Sequence, residues 1–128
     1  MRDLKEVILE SISKIYHDEK NMKFSTIGGE LTYYDFPITI NTNLDALELE
    51  TVQVKKSYRG KGIGKDLVKS FIDYANAIEK DIVLYASVLD IADDRMTDEQ
   101  LIIWYKSLGF KQLDKTSNNI LWYKHERS

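Results

Sequence analysis

The sequence predicts a single α/β (α+β) domain over residues 1–128, with its elements in the order α-β-β-β-α-β-α-β-β. Three observations carry this expectation. The hydrophobic pattern switches between a helical period and short β-like runs along the chain. With 43% hydrophobic and 30% charged residues, 128 residues suffice for one well-cored domain. No linker, repeat or low-complexity segment divides the chain.

The first element is an amphipathic helix over residues 3–19, where Leu4, Val7, Ile8, Ile12 and Ile15 fall at helical spacing and Lys5, Glu6, Glu10, Lys14 and Asp18 lie off the stripe. No strand is evident before residue 22. Then come "MKFSTI" at 22–27, a Gly28-Gly29 turn, "ELTYYDFPITI" at 30–40, a polar "NTN" break and "ALELETVQV" at 46–54. These read as a three-strand antiparallel meander. Pro37, the only proline, places the second run at an edge or a bulge. In the third run Leu47 and Leu49 are apolar on odd positions but Val52 and Val54 on even ones, so an extra residue enters the period between Glu50 and Val52. Either a β-bulge restores a common buried face or Thr51 tolerates burial.

Downstream, Ile63, Leu67, Val68, Phe71, Ile72, Ala75 and Ile78 share one side of a helix over about residues 62–79. "DIVLYASV" at 81–88 is a continuous apolar run, the pattern of a strand buried on both faces. The acidic "LDIADDRM" reads as a loop. Thr97 with Gln100 three residues later forms a capping box for a helix ending near Leu108, and Gly109 supplies its left-handed stop. "FKQLD" and "ILWYK", separated by "KTSNN", close the chain as a hairpin.

Composition narrows the function classes. The chain has no cysteine, and its two histidines, His17 and His125, lie far apart, so no metal is expected. Both read as surface histidines, His17 beside the apolar stripe of the first helix and His125 in a frayed tail. No cleavage site or membrane-length apolar run is present, which predicts a soluble cytoplasmic protein without a membrane partner. A net charge of -3 argues against general nucleic-acid binding.

Against that acidic balance, residues 55–65 contain Lys55, Lys56, Arg59, Lys61 and Lys65 and no acid, with glycines at 60, 62 and 64. Bare backbone running into a helix N-terminus offers close approach, unsatisfied N–H groups and a positive dipole end. Such a segment favours a phosphate-bearing anion. A P-loop ending at Gly64-Lys65 needs glycine at 59 and Ser or Thr at 66, where Arg59 and Asp66 stand; a dinucleotide fingerprint starting at Gly60 needs Gly or Ala at 65, where Lys65 stands. Neither motif fits, and the plain alternative is a glycine-rich turn with solvated lysines.

The loop has company, however. "ETVQV", then "RGKGIG" opening a long helix, a buried strand, and "WYKSLGF" closing a second helix resemble the GNAT N-acetyltransferase superfamily. Arg59, Gly62 and Gly64 match its Q/R-x-x-G-x-G/A signature, and Tyr105, Gly109 and Phe110 match its Y-x-x-x-G-F landmark. The resemblance covers roughly residues 22–124 and is strongest from 46 to 110. It implies a central mixed, mostly antiparallel sheet of about six strands with helices on both faces, in a small, N-terminally shortened member.

It further implies acetyl-CoA as acyl donor, lying between splayed strands that end near Val54 and Val88. Main-chain groups of Val52, Gln53 and Val54 would pair with the pantetheine arm. The segment Arg59, Gly60, Lys61, Gly62, Ile63, Gly64 and Lys65 would hold the pyrophosphate and flanking charge. Many members carry an asparagine about seven residues before the tyrosine; Asp98 stands there in this chain. The implied partner is a primary-amine acceptor of unknown identity; no nucleic acid is expected, and a homodimer is allowed.

Amine acetylation needs a neutral nucleophile, and a lysine-like amine has a pKa of about 10.4 in water. Glu48 and Glu50 are carboxylates in what should be a central strand, where an acid is costly without a role or partner. Glu48 is the preferred base, since some members keep a glutamate there, and Glu50 is the substitute. The alternative is that both sit on a solvated face opposite lysines. Tyr105 is the candidate general acid for the departing thiolate, the role that similar tyrosines hold in the family; its alternative is a core aromatic beside Trp104. "YYDF" at 33–36 and the acidic residues Asp90, Asp93, Asp94, Asp98 and Glu99 are candidates for an acceptor pocket, or else packing and a solvated loop. A GNAT-like module that binds CoA or a protein without turnover is the competing function.

Overall fold

The computed structural model describes residues 14–36, 46–87, 96–114 and 117–125. Its elements are β1 (Tyr16–Asp18), β2 (Lys23–Thr26), β3 (Gly29–Phe36), β4 (Ala46–Val54), a 3-10 turn (Lys56–Tyr58), α1 (Ile63–Ala77), β5 (Asp81–Tyr85), α2 (Asp98–Ser107), β6 (Lys111–Asp114) and β7 (Ser117–Tyr123). One sheet of seven strands runs in the order β1-β2-β3-β4-β5-β7-β6. Among its pairs only β4 with β5 is parallel. The expected mixed, mostly antiparallel sheet is therefore present, with seven strands rather than about six.

The additional strand corrects the reading of the N-terminal stretch. Tyr16–Asp18, inside the stretch expected to be helical and before residue 22, pairs antiparallel with β2. Its cause is tertiary: His17 stands opposite Phe24 and stacks on it at 4.1 Å, and its ring Nε2 meets the Tyr33 hydroxyl. Pairing across strands outweighs the helical spacing that ends at Ile15. The rest of the expected first helix, Pro37, the "NTN" break and the acidic loop at 88–95 lie outside the described residues.

The period shift in β4 is a bulge. Register steps from Thr32 opposite Thr51 to Tyr33 opposite Leu49, leaving Glu50 as the extra residue. Leu47, Leu49 and Val52 consequently share the buried face. On the other face Thr32 and Thr51 join through their hydroxyls at 2.6 Å.

Both described helices cover the same face. Each of the crossovers β4-α1-β5 and β5-α2-β6 joins parallel strands while moving the same way across the sheet, so right-handed connections put both helices on one side. Phe24, Leu31, Leu47, Ile82, Leu84 and Leu121 from the sheet form one cluster there with Leu67, Phe71 and Ala75 of α1 and Leu101 and Tyr105 of α2. The capping box at α2 is complete, with Gln100 N–H donating to Thr97 Oγ1 at 3.2 Å and Thr97 N–H to Gln100 Oε1 at 3.0 Å. Gly109 follows at φ 105.

At the base of β5, the end remote from the bulge, His125 is not the frayed surface residue expected. Its N–H and ring Nδ1 both meet Asp81 Oδ1, at 3.0 and 2.7 Å, and both side chains are largely buried. The antiparallel run of β7 beside β5 delivers residue 125 to that carboxylate.

Candidate functional site

The sheet opens beside the bulge. Parallel pairing of β4 with β5 covers only Ala46–Leu49 against Asp81–Leu84, yet β4 continues to Val54. Beyond Leu84, β5 stays with β7: Tyr85 lies opposite Ile120, Ala86 N–H donates to Asn119 O at 2.8 Å, and the Asn119 amide donates back to Ala86 O at 2.9 Å. The two strands part where the extra residue bends β4.

Next to this split the chain turns from β4 into α1 under close anchoring. Lys55 N–H donates to Gly28 O at 2.7 Å, and the Tyr58 ring lies so close to Gly28 that a Cβ there would fall 2.3 Å from Tyr58 Cγ. Arg59 Nε donates to Val54 O at 3.2 Å, folding the guanidinium back over the strand end. Gly60 and Gly62 hold φ of 82 and 80, with nothing within 4 Å of a Cβ at either. Gly62 is the N-cap of α1 and offers no side-chain cap. The first intrahelical bond is Asp66 N–H to Gly62 O at 3.0 Å, so the N–H groups of residues 63–65 precede the ladder.

These parts surround a cleft of about 390 Å³. Its walls are Val52 and Val54 of β4; Tyr58, Arg59, Gly60 and Gly62 of the turn; Ile63, Gly64 and Lys65 of α1; and Met96, Leu101 and Trp104 on the α2 side. Among the described residues, no acidic side chain lines it. One end is thus cationic and rich in backbone donors, and the other is apolar.

Eight of the ten residues expected to hold a cofactor meet in this cleft: Val52, Val54, Arg59, Gly60, Gly62, Ile63, Gly64 and Lys65. Gln53 does not, because strand alternation turns its exposed side chain to the opposite face. Lys61 does not either; its Nζ lies over the Tyr58 ring, 5.3 Å from the centroid. Tyr58, Met96, Leu101 and Trp104 were not among the expected residues. The available signal was spacing, since Leu101 and Trp104 stand three apart on one helix face, the first one turn before the tyrosine of the landmark motif and the second next to it.

Tyr105 lies behind this wall rather than on it. It is 2% exposed, edge-on to Trp104 at 4.9 Å and to Phe110 at 5.5 Å. Glu48 and Glu50 lie on the other face of the sheet. Glu48 is half-buried, opposite Tyr34 on β3 and Val83 on β5, while Glu50 is exposed at the bulge beside the split. Asp98 is the first residue of α2, partly buried beside the capping box. Among the described residues, no group of three or more His, Cys, Asp or Glu is arranged to hold a metal ion, and no helix is long and apolar enough to cross a membrane.

A family model described as an acetyltransferase (GNAT) domain matches residues 15–112, well over half of the chain. A search of curated proteins finds no match. Among solved structures, the anti-CRISPR protein AcrVA5 is similar at 27% identity and TM-score 0.63, covering 80% of this chain and 97% of its own. A structure of AtaTR bound with AcCoA is similar at 20% identity and TM-score 0.58, over 76% of this chain but 57% of that one. Naa50 of Arabidopsis thaliana, in complex with the bisubstrate analogue CoA-Ac-MVNAL, is similar at 16% identity and TM-score 0.56, over 97% and 95%.

Proposed function

The chain belongs to the GNAT acetyltransferase family, and on that premise we propose that it moves an acetyl group from acetyl-CoA to a primary amine by direct transfer in a ternary complex. One observation carries this reading: the parted, bulged end of β4 and the uncapped, glycine-bearing start of α1 form one cleft with a donor-rich cationic end and an apolar end. The cleft suits a long ligand with a diphosphate at one end and an uncharged arm. Open space around Gly60 and Gly62 leaves the main chain accessible, and Arg59 and Lys65 oppose the phosphate charge.

When bound, acetyl-CoA supplies a thioester as the electrophile. The protein's part is to orient and to move protons. In this reading the main chain of Val52, Gln53 and Val54 fixes the arm, while the segment from Arg59 to Lys65 holds the diphosphate. Glu48, on the face opposite the donor cleft, takes the proton that the amine must lose, with Glu50 at the bulge as the substitute. Tyr105 returns a proton to the departing thiolate. The acceptor stays at the level of a primary amine on a protein, a peptide or a small molecule.

A second reading, a module that binds CoA without turnover, draws on the burial of Tyr105 behind Trp104. Calorimetry with CoA and acetyl-CoA, followed by thiol release over a panel of amines, separates the two. Acetyl transfer predicts micromolar-to-millimolar binding, release that depends on the amine, loss of about 10²-fold or more in Tyr105→Phe, and an altered pH–rate profile in Glu48→Gln. Binding with no amine-dependent release establishes the module, and no binding of either ligand at millimolar concentration overturns both.

A further inference from the structure

Gly28 and Gly29 carry the chain from β2 into β3 and do not line the cleft, yet they touch both ends of the segment that forms its cationic side. Gly29 stands opposite Val54, and Lys55 N–H donates to Gly28 O at 2.7 Å, so this turn meets the chain where it leaves β4. Gly28 is buried at φ 83, and a Cβ there would lie 2.6 Å from Tyr58 Cδ1 and 2.8 Å from Tyr58 Cβ. Tyr58 Cβ is placed by the main chain of the 3-10 turn, so no rotamer of the ring relieves that contact. The backbone itself would have to move. At Gly29 a Cβ would lie 2.7 Å from Ile63 Cγ2 and 3.1 Å from Leu67 Cδ1, both on the buried side of α1. A tight turn needs glycine for its left-handed φ, and Gly28 meets that need; Gly29 has no such φ, which leaves the close approach of Ile63 as its reason. Between these two points, among the described residues, nothing comes within 4 Å of a Cβ at Gly60 or Gly62. The glycine loop is therefore held at its ends and by the Arg59 bond to Val54 O, not along its length.

We propose that Gly28 and Gly29 are positioning residues for the acyl donor: their turn is a seat that fixes where Tyr58 and Ile63 stand, and through them where Arg59 and the N–H groups of residues 63–65 point. A side chain at either glycine lifts one end of the loop and turns those donors away from a diphosphate. The inference rests on acetyl-CoA as donor. Both glycines lie outside the two motifs, and both act through the residue that each admits.

Calorimetric titration of CoA into the full chain tests this, using wild type, Gly28→Ala, Gly29→Ala, Ile63→Ala and the double variant Gly29→Ala with Ile63→Ala. Overpacking at the seat is expected to weaken CoA binding by about tenfold or more in Gly28→Ala and by about fivefold in Gly29→Ala, whose nearest neighbours are side-chain ends that can shift. Truncating Ile63 removes the atom that a Cβ at position 29 meets first, so the double variant should bind within about twofold of Ile63→Ala alone, the mark of coupling between the two positions. Phosphorus NMR supplies a readout that stability alone does not move: in complexes saturated with CoA, the diphosphate resonances of both glycine variants should lie closer to those of free CoA than the wild-type ones do. Wild-type affinity in either folded glycine variant, whatever its thermal midpoint, overturns the seat. So does a loss between Ile63→Ala and the double variant as large as that between wild type and Gly29→Ala. If Gly28→Ala or an Ile63 variant does not fold, the phosphorus spectrum of CoA bound to Gly29→Ala decides, and wild-type diphosphate shifts there overturn the seat. Absence of CoA binding by wild type overturns the donor assignment itself, and the seat with it.

Discussion

At its N-terminal end α1 starts from Gly62, left-handed and without a side-chain cap, beside open backbone and the cleft. Two to three turns later the same helix is wedged among rings. Phe71 lies 4.9 Å from Tyr33 and 5.9 Å from Phe24, and Tyr74 packs edge-on to His17 at 4.3 Å. Burial, with Tyr74 beside it, pushes the Tyr33 phenol well above its usual range. The contrast teaches that one helix is anchored at one end and, in the proposed reading, receives an anion at the other. Its N–H groups ahead of the ladder, which find no backbone partner among the described residues, are tolerable because the opposite end holds the helix in place.

If that division is real, damage to the ring-packed end costs stability and leaves binding intact. Phe71 is fully buried, and Phe71→Ala should cost about 3–5 kcal/mol by the usual loss of transfer energy plus cavity. Urea unfolding measures it. Calorimetry on the folded variant should return the wild-type affinity for CoA. A parallel fall in affinity breaks the comparison, since the ring cluster would then be shaping the cleft.

The converse change comes next in size. Gly62→Ala meets no steric neighbour, so its cost is the left-handed backbone alone, about 1–2 kcal/mol. Its effect on CoA affinity should exceed that of Phe71→Ala, because any relaxation of φ re-aims the N–H groups ahead of the ladder. A variant that loses stability yet binds CoA normally shows that the cradle does not depend on this conformation.

The same contrast accounts for what could be read in the sequence. Thr97 with Gln100, Gly109, the helix over 63–77 and the glycine loop were legible because each is encoded by neighbours within a few residues. The period shift between Glu50 and Val52 was legible because burial imposes a period of two that an extra residue breaks, while the register against β3 decided for a bulge over a buried Thr51. β1 was not, since its reason to be a strand is Phe24 across the sheet. His125 beside Asp81 joins positions 44 apart. Eight of the ten expected cleft residues could be read from one contiguous stretch, whereas the wall formed by Met96, Leu101 and Trp104 depends on how α2 packs beside α1. Local patterns reported the elements, and long-range packing decided which side chains face each other across the cleft.

The smallest expected effect probes the turn that carries β1 into β2. Asp18 accepts from the Asn21 side-chain amide at 2.8 Å and from the Asn21 N–H at 3.1 Å, and these bonds, the side-chain one foremost, hold its carboxyl below the usual carboxylate value. A group whose folded pKa is lowered lends stability that is present above its unfolded pKa and is lost as pH falls through the folded one. Asn21→Ala removes the amide and keeps the backbone donor. Carbon-detected NMR titration should show the Asp18 pKa rising part of the way to its ordinary value. The small stability difference from wild type should be visible at neutral pH and vanish in acid, below both values. CoA affinity at neutral pH should not move, because this turn sits at the β1 edge and the cleft lies beyond β4. An Asn21→Ala variant with altered CoA binding would mean that β1 communicates with the cleft through β2 and β3, and that the two ends of α1 are not independent.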